Sequence, residues 1–254
     1  MKKHIVLVGG SGVVGSILTE AWQVVYRITV IDLVKPNHAV PYIQGDAANY
    51  DEIRRKLPED TDVIINLLKV NSSSSMKHLD KMIDVYFKAT CNILYAAAER
   101  NIPKVIFASS NHVTDAYEKG GKSKLGRPIN VHDYPYSMGM YGILKLASEN
   151  VGYMISREKG LSVINIRIGS VPENETQALK ENERIHHTLL TRVDTAALFQ
   201  AAMEADVKYG TYYGVSDNPG KPWDTTNAQD ELGFVSVQNS SDLVNSQVHR
   251  DDDK

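Results

Sequence analysis

Short apolar runs rich in β-branched residues alternate with longer amphipathic stretches along this chain of 254 residues. His4–Val8, Ile28–Leu33, Val63–Leu68, Lys104–Ala108 and Ser162–Ile168 have the near-continuous hydrophobicity of strands buried on both faces. A further strand closes at Gly45-Asp46. Between them, helical spacing is legible over Val13–Gln23, Asp51–Lys56, Met76–Arg100 and Tyr141–Lys159. A helix over Val193–Ala205, a strand over Thr211–Val215 and a short helix near Thr225–Leu232 complete the pattern. Strand-helix alternation of this kind predicts an α/β fold: a Rossmann-like, doubly wound parallel sheet in one domain over 1–254. Two segments break the alternation. The run Asn71-Ser72-Ser73-Ser74-Ser75 follows the fourth strand, where its hydroxyls can cap the next helix or, at Ser75, contact a ligand. Residues 116–137 form a long polar stretch with three glycines and two prolines, a length that in a packed domain points to a functional or disordered loop.

Composition narrows the class. With 42% hydrophobic and 23% charged residues, disordered, collagen-like and membrane classes are excluded. The 28 basic and 31 acidic residues leave a net charge of -3, with no positive excess for nucleic acid or an anionic membrane. The single cysteine, Cys91, makes no intrachain disulfide, fits a reducing compartment and sits in a core-like helix pattern. Met1-Lys2-Lys3 before Ile5–Val8 imitates the start of a secretory signal, but glycines break the run and no small-residue cleavage site follows. A cytoplasmic location is expected.

The strongest chemical signal is Gly9-Gly10-Ser11-Gly12-Val13-Val14-Gly15, between the first strand and the first helix. Glycines there allow a tight turn and a close backbone approach to a pyrophosphate, and the helix start offers free N–H groups and a positive dipole end. Asp32, about 20 residues after the turn, ends the second strand where a carboxylate accepts hydrogen bonds from an adenosine ribose and repels a 2′-phosphate. Lys35 is a nearby cation that softens that preference. Asp46 either reaches an adenine amine or caps the following helix, and Leu67 lies where the fourth strand would flank the cofactor. These residues (Gly9, Ser11, Gly12, Val13, Val14, Gly15, Asp32, Asp46 and Leu67) predict a bound dinucleotide, NAD in preference to NADP.

Tyr141 and Lys145 are four apart and share a helix face, where an ammonium lowers a phenol's pKa toward that of a useful base. The same lysine can bond the nicotinamide ribose. Ser109-Ser110-Asn111-His112 lies just past the fifth strand, at the sheet edge where ligands bind. His186-His187 point in different directions on a helix and lack a companion ligand pattern, so no metal is expected. His132 and Asp133 read as solvent-facing. Tyr134 and Tyr136 are either a lid over the ligand or loop anchors. Trp223 either walls the pocket or packs the last helix.

Gly9-x-x-Gly12-x-x-Gly15, Asp32, Asp46, Ser110 and Tyr141-x-x-x-Lys145 resemble the extended short-chain dehydrogenase/reductase family, over nearly the whole chain. Phe107–His112, Arg167–Ser170, Tyr213–Asn218, Trp223-Asp224 and Leu232–Phe234 are similar to the uronate dehydrogenases within it. The resemblance implies NAD-dependent oxidation of a sugar hydroxyl, with Tyr141 as base, Ser110 holding the reacting oxygen and Lys145 tuning Tyr141. It further implies sugar-acid contacts from Asn111, His112, Ser170 and Arg184, with Arg184 clamping a carboxylate, and a homodimer through the Met76–Arg100 and Tyr141–Lys159 helices. Tyr86 and Ala89 stand where the family usually has Asn and Gly, and the segments before Tyr141 and before Arg184 are longer than in the subgroup. A sugar-phosphate dehydrogenase, a nucleotide-sugar epimerase or dehydratase, and a non-catalytic NAD sensor are the alternatives.

Overall fold

Seven strands, all parallel, form one sheet in the order β3-β2-β1-β4-β5-β8-β9. They are β1 (His4–Val8), β2 (Arg27–Asp32), β3 (Tyr42–Gln44), β4 (Val63–Asn66), β5 (Lys104–Ser110), β8 (Ser162–Ile168) and β9 (Tyr209–Gly214). The computed structural model describes residues 2–70 and 78–245. Ser75 and the rest of the serine run therefore lie outside the described residues, as do Met76 and the charged tail.

Alternation along the strands assigns side chains to two apolar layers. Ile5, Leu7, Val30 and Ile65 pack under α1 (Val13–Trp22), α8 (Arg192–Glu204) and α9 (Thr226–Leu232). Val6, Val8, Ile31 and Ile64 face α2 (Tyr50–Lys56), α4 (Ala89–Glu99) and α5 (Met140–Lys159). Strands covered on both sides have no polar face, which is why they read as continuous apolar runs. The order reverses between β1 and β4, and this switch point opens a crevice at the carboxyl edge of the sheet.

Several boundaries differ from the sequence expectation, for local reasons. β5 runs on to Ser110, because its pairing with β8 continues to Ser110 opposite Ile168; Ser109 and Ser110 are strand residues. β4 stops at Asn66, and Leu67 and Leu68 turn in against Gly9, whose φ is +78°. The long helix before Lys104 is not uniform: α3 (Leu79–Met82) passes through a π-helical stretch, Ile83–Lys88, before α4. Residues 116–137 are structured in part. A 3₁₀ segment, Asn111–Tyr117, leads into a hairpin of β6 (Glu118–Lys119) and β7 (Lys122–Ser123), and Ile129 bridges to Trp223. Trp223 is fully buried, stacks on Tyr213 at 5.9 Å and packs with Ile129 and Val215, so it anchors this segment and does not wall the pocket. Asp133 is likewise mostly buried, accepting hydrogen bonds from the Arg127 side chain and the Asn130 N–H. Its carboxyl is held down at about 2, chiefly by the Arg127 hydrogen bond. His132, Tyr134 and Tyr136 are exposed.

Candidate active site

A cavity of about 950 Å³ runs along the crevice, large enough for a dinucleotide and a small second ligand. Its walls at one end are Gly9, Gly12, Val13, Val14, Gly15, Asp32, Asp46 and Leu67. Gly12 opens α1 with no side chain capping the helix, so the first-turn N–H groups are presented to the cavity floor. Gly15 serves packing: a Cβ there would lie 2.1 Å from the Gly10 carbonyl oxygen, so only glycine lets α1 start this close to the turn. Asp32 accepts hydrogen bonds from the N–H groups of Ser11 (3.0 Å) and Val34 (3.2 Å), bracing the turn while it lines the cavity. Ser11 itself faces away; its hydroxyl donates to the Val34 carbonyl at 2.5 Å. Asp46 accepts from the Ala48 N–H at 2.9 Å, and the helix cap on α2 is Asn49 instead.

The other end is lined by Ser110, Asn111, His112, Asp115, Tyr141, Ser170 and Arg184. Ser110 is 3% exposed, and its hydroxyl accepts the His112 N–H at 3.2 Å, closing the 3₁₀ turn. Tyr141 packs edge-on between Tyr86 (4.9 Å) and His112 (5.6 Å). Burial pushes its phenol up to about 12, outweighing the hydrogen bond with Ser110 that favours the phenolate. Lys145 does not reach the cavity surface. Its Nζ donates to the Ala108 carbonyl at 2.8 Å, sits 4.6 Å from the Phe107 ring centroid, and lies 5.9 Å from that of Tyr141. Burial lowers Lys145 to about 7, against the pull of Glu149. The expected ammonium-lowered phenol is therefore not what this arrangement produces: desolvation governs both groups, raising the acid and lowering the base.

The match to known proteins follows this geometry. Residues 5–209 match the family described as NAD dependent epimerase/dehydratase family. The chain belongs to that family. Its relatives include the uncharacterized protein YtbQ of Bacillus subtilis, 46% identical over 96% of this chain and 98% of that one. An NAD-dependent glucose-6-phosphate dehydrogenase of Haloferax volcanii is 31% identical over 65% of this chain and 64% of its own. A uronate dehydrogenase of Pseudomonas syringae pv. tomato is 28% identical over 96% and 85%. Among solved structures, the Y136A mutant of uronate dehydrogenase from Agrobacterium tumefaciens complexed with NAD superposes with a TM-score of 0.82 at 21% identity, covering 97% and 89%.

For an enzyme of the NAD-dependent epimerase/dehydratase family, the cofactor is NAD, and the unblocked α1 start, the open face of Gly12 and Asp32 fit it. Around the Ser110 and Tyr141 end, sequence reasoning missed Glu149, Asp115 and Glu118, and named Tyr86 only as a departure from the family pattern. Glu149, 4% exposed, holds Arg167 through two hydrogen bonds (3.0 and 2.8 Å) and accepts the Ser109 hydroxyl at 2.5 Å, a buried network directly under β5. Asp115 bonds His112 Nδ1 at 3.0 Å and fixes that ring. Tyr86 belongs to the π-helical stretch; its hydroxyl donates to the Val70 carbonyl and accepts the Val70 N–H, while its ring backs Tyr141. Glu118 pairs with Arg184: Nε–Oε2 is 3.0 Å and Nη2–Oε2 is 2.7 Å. The remaining Arg184 nitrogen, Nη1, donates to the hydroxyls of Ser170 (3.3 Å) and Thr188 (3.4 Å). Arg184 thus reaches the cavity already engaged. His186 and His187 bond the carbonyls of Leu179 and Pro219. Cys91 is half-buried, and burial raises its thiol.

Proposed function

We propose that the protein is a sugar dehydrogenase, oxidising a sugar hydroxyl to a carbonyl at the Tyr141 end of the cavity. The observation that carries this reading is the single cavity that joins the glycine turn and Asp32 to Ser110 and Tyr141. When bound, NAD supplies the hydride acceptor. The chain's own residues handle the proton. Tyr141, as phenolate, takes the hydroxyl proton as the C–H bond gives up its hydride, and Ser110 holds the same oxygen. Lys145 is a positioning residue behind Phe107, Tyr86 and Tyr141. Because the resting phenol lies high, oxidation is favoured as pH rises and carbonyl reduction as it falls.

The acidic-sugar expectation depends on Arg184 having charge to spare, which its Glu118 partner removes. The same reading includes a homodimer through α4 and α5, supported by exposed Tyr95, Ile143, Tyr153 and Met154 on those helices. The test is NAD reduction followed with a panel of neutral aldoses, hexuronates and glucose 6-phosphate. Reduction with at least one sugar is expected. An NAD-binding protein that reduces NAD with none of them overturns the reading.

A further inference from the structure

At the Tyr141 end of the cavity the charge of Arg184 is offset by carboxylates. Arg184 is the guanidinium among its lining residues, and the carboxylates of Glu118 and Asp115 stand within reach of the same end. With neutral His112 the set sums to one negative charge, and with protonated His112 to zero. Lys69, exposed, also lines the cavity, so what the described carboxylates offset is the charge of Arg184 itself.

The Glu118–Arg184 pair is built into the fold. Glu118 begins the first arm of the β6–β7 hairpin, whose turn residues Gly120 and Gly121 have φ of +59° and +84°, the pair of positive angles a two-residue hairpin turn needs. The Gly121 N–H donates to Glu118 Oε1 at 2.6 Å and orients the carboxylate. A Cβ on Gly121 would lie 2.9 Å from the Arg184 carbonyl oxygen and 2.9 Å from the His187 Cβ, so the turn rests directly on the segment that carries Arg184. The Glu118 side chain is 7% exposed and that of Arg184 26%. Burial raises the Glu118 carboxyl, but the Arg184 hydrogen bonds, the Gly121 N–H and the Arg184 charge together hold it below the usual carboxylate range.

We infer that Glu118 is a specificity-determining residue that neutralises Arg184, and that the substrate is an uncharged aldose, not a uronate or a sugar phosphate. This rests on the sugar dehydrogenase reading. An incoming carboxylate would have to displace Glu118 from the Nε and Nη2 edge of the guanidinium, stranding a buried anion, or settle beside two carboxylates. A neutral polyol meets neither penalty. Its hydroxyls can accept from Arg184 Nη1, exchange hydrogen bonds with the Ser170 hydroxyl, and donate to Asp115.

The experiment compares kcat/KM of the wild-type enzyme for D-glucose, D-galactose and L-arabinose with that for D-glucuronate, D-galacturonate and glucose 6-phosphate. A preference for the best neutral sugar of at least about tenfold is expected, and Glu118→Gln should move the ratio toward the uronates by about tenfold, mainly through KM. A wild-type preference for an acid, with Glu118→Gln weakening it, overturns the inference. If Glu118→Gln does not fold, the wild-type ratio alone decides. If no sugar is oxidised, the dehydrogenase reading fails separately. Calorimetric titration of glucose and glucuronate into the NAD-bound protein then judges the charge. Glucuronate binding gained only in Glu118→Gln supports the inference, and wild-type protein binding glucuronate more tightly than glucose refutes it.

Discussion

Replacing Lys145 with methionine is expected to stabilise the protein at neutral pH while removing catalysis. Lys145 is 3% exposed, and its ammonium has the Ala108 carbonyl and the rings of Phe107 and Tyr86 for company. Its pKa falls from the ordinary lysine value of 10.5 to about 7 because burial opposes the charge. At 1.36 kcal/mol per decade, that fall costs the folded state about 5 kcal/mol below pH 7, an upper bound because local relaxation screens the charge. Methionine fills a similar volume without the charge, but loses the carbonyl hydrogen bond and the cation–π contacts, together about 2–3 kcal/mol. A net gain of about 2 kcal/mol is therefore expected near neutrality. The sign follows from linkage. Between about pH 7 and 10.5 the unfolded chain binds a proton that folded Lys145 does not, so the wild type gains stability as pH rises, and the difference changes sign before about pH 10.5. The raised phenol of Tyr141 weakens both proteins alike above about pH 10 and cancels in the difference. Urea unfolding of both proteins across this range is the assay. A methionine variant less stable than wild type at neutral pH, or a difference that ignores pH, would refute the reasoning.

Three further predictions follow from the packing. Glu149→Gln leaves Arg167 without its charge partner in a buried network, and should lower stability by about 3–5 kcal/mol in chemical denaturation. Gly15→Ala places a methyl against the Gly10 backbone, so it should cost about 1–3 kcal/mol in the same assay and weaken NAD binding measured by calorimetry. The proposed pairing through α4 and α5 makes the wild type a dimer by light scattering, and Tyr153→Glu, which adds a charge to that exposed apolar helix face, should be monomeric at the same concentration; a wild type that is itself monomeric refutes the pairing.

The sheet, the glycine turn and the shared helix of Tyr141 and Lys145 were legible because each is a local pattern. Parallel strands buried on both faces carry their own hydrophobic signature, and Tyr141 and Lys145 declare their shared face by spacing. What could not be read depended on partners distant in the chain. Arg184 looks like a free clamp until Glu118, 66 positions earlier, arrives on a hairpin whose strands are two residues long. The Gly120-Gly121 pair was the one available signal for that hairpin, and it lay inside a segment read only as polar. Lys145 promises to acidify a phenol until the fold ties it to Ala108 and removes water from both groups. Tyr86 gave no sign of a π-helical wall, because a one-residue change of helical register leaves the apolar spacing almost intact.

The most direct test of the account compares wild type with Tyr141→Phe for both NAD affinity and sugar-dependent NAD reduction. Removing the phenolic hydroxyl leaves the ring packed against Tyr86 and His112, so the fold and the cofactor cradle should stand unchanged. The NAD dissociation constant is expected to stay the same within about twofold and kcat to fall by about 10²–10⁴. Turnover undiminished in Tyr141→Phe would contradict the role of Tyr141 as base, because the proton would then leave the sugar by another route.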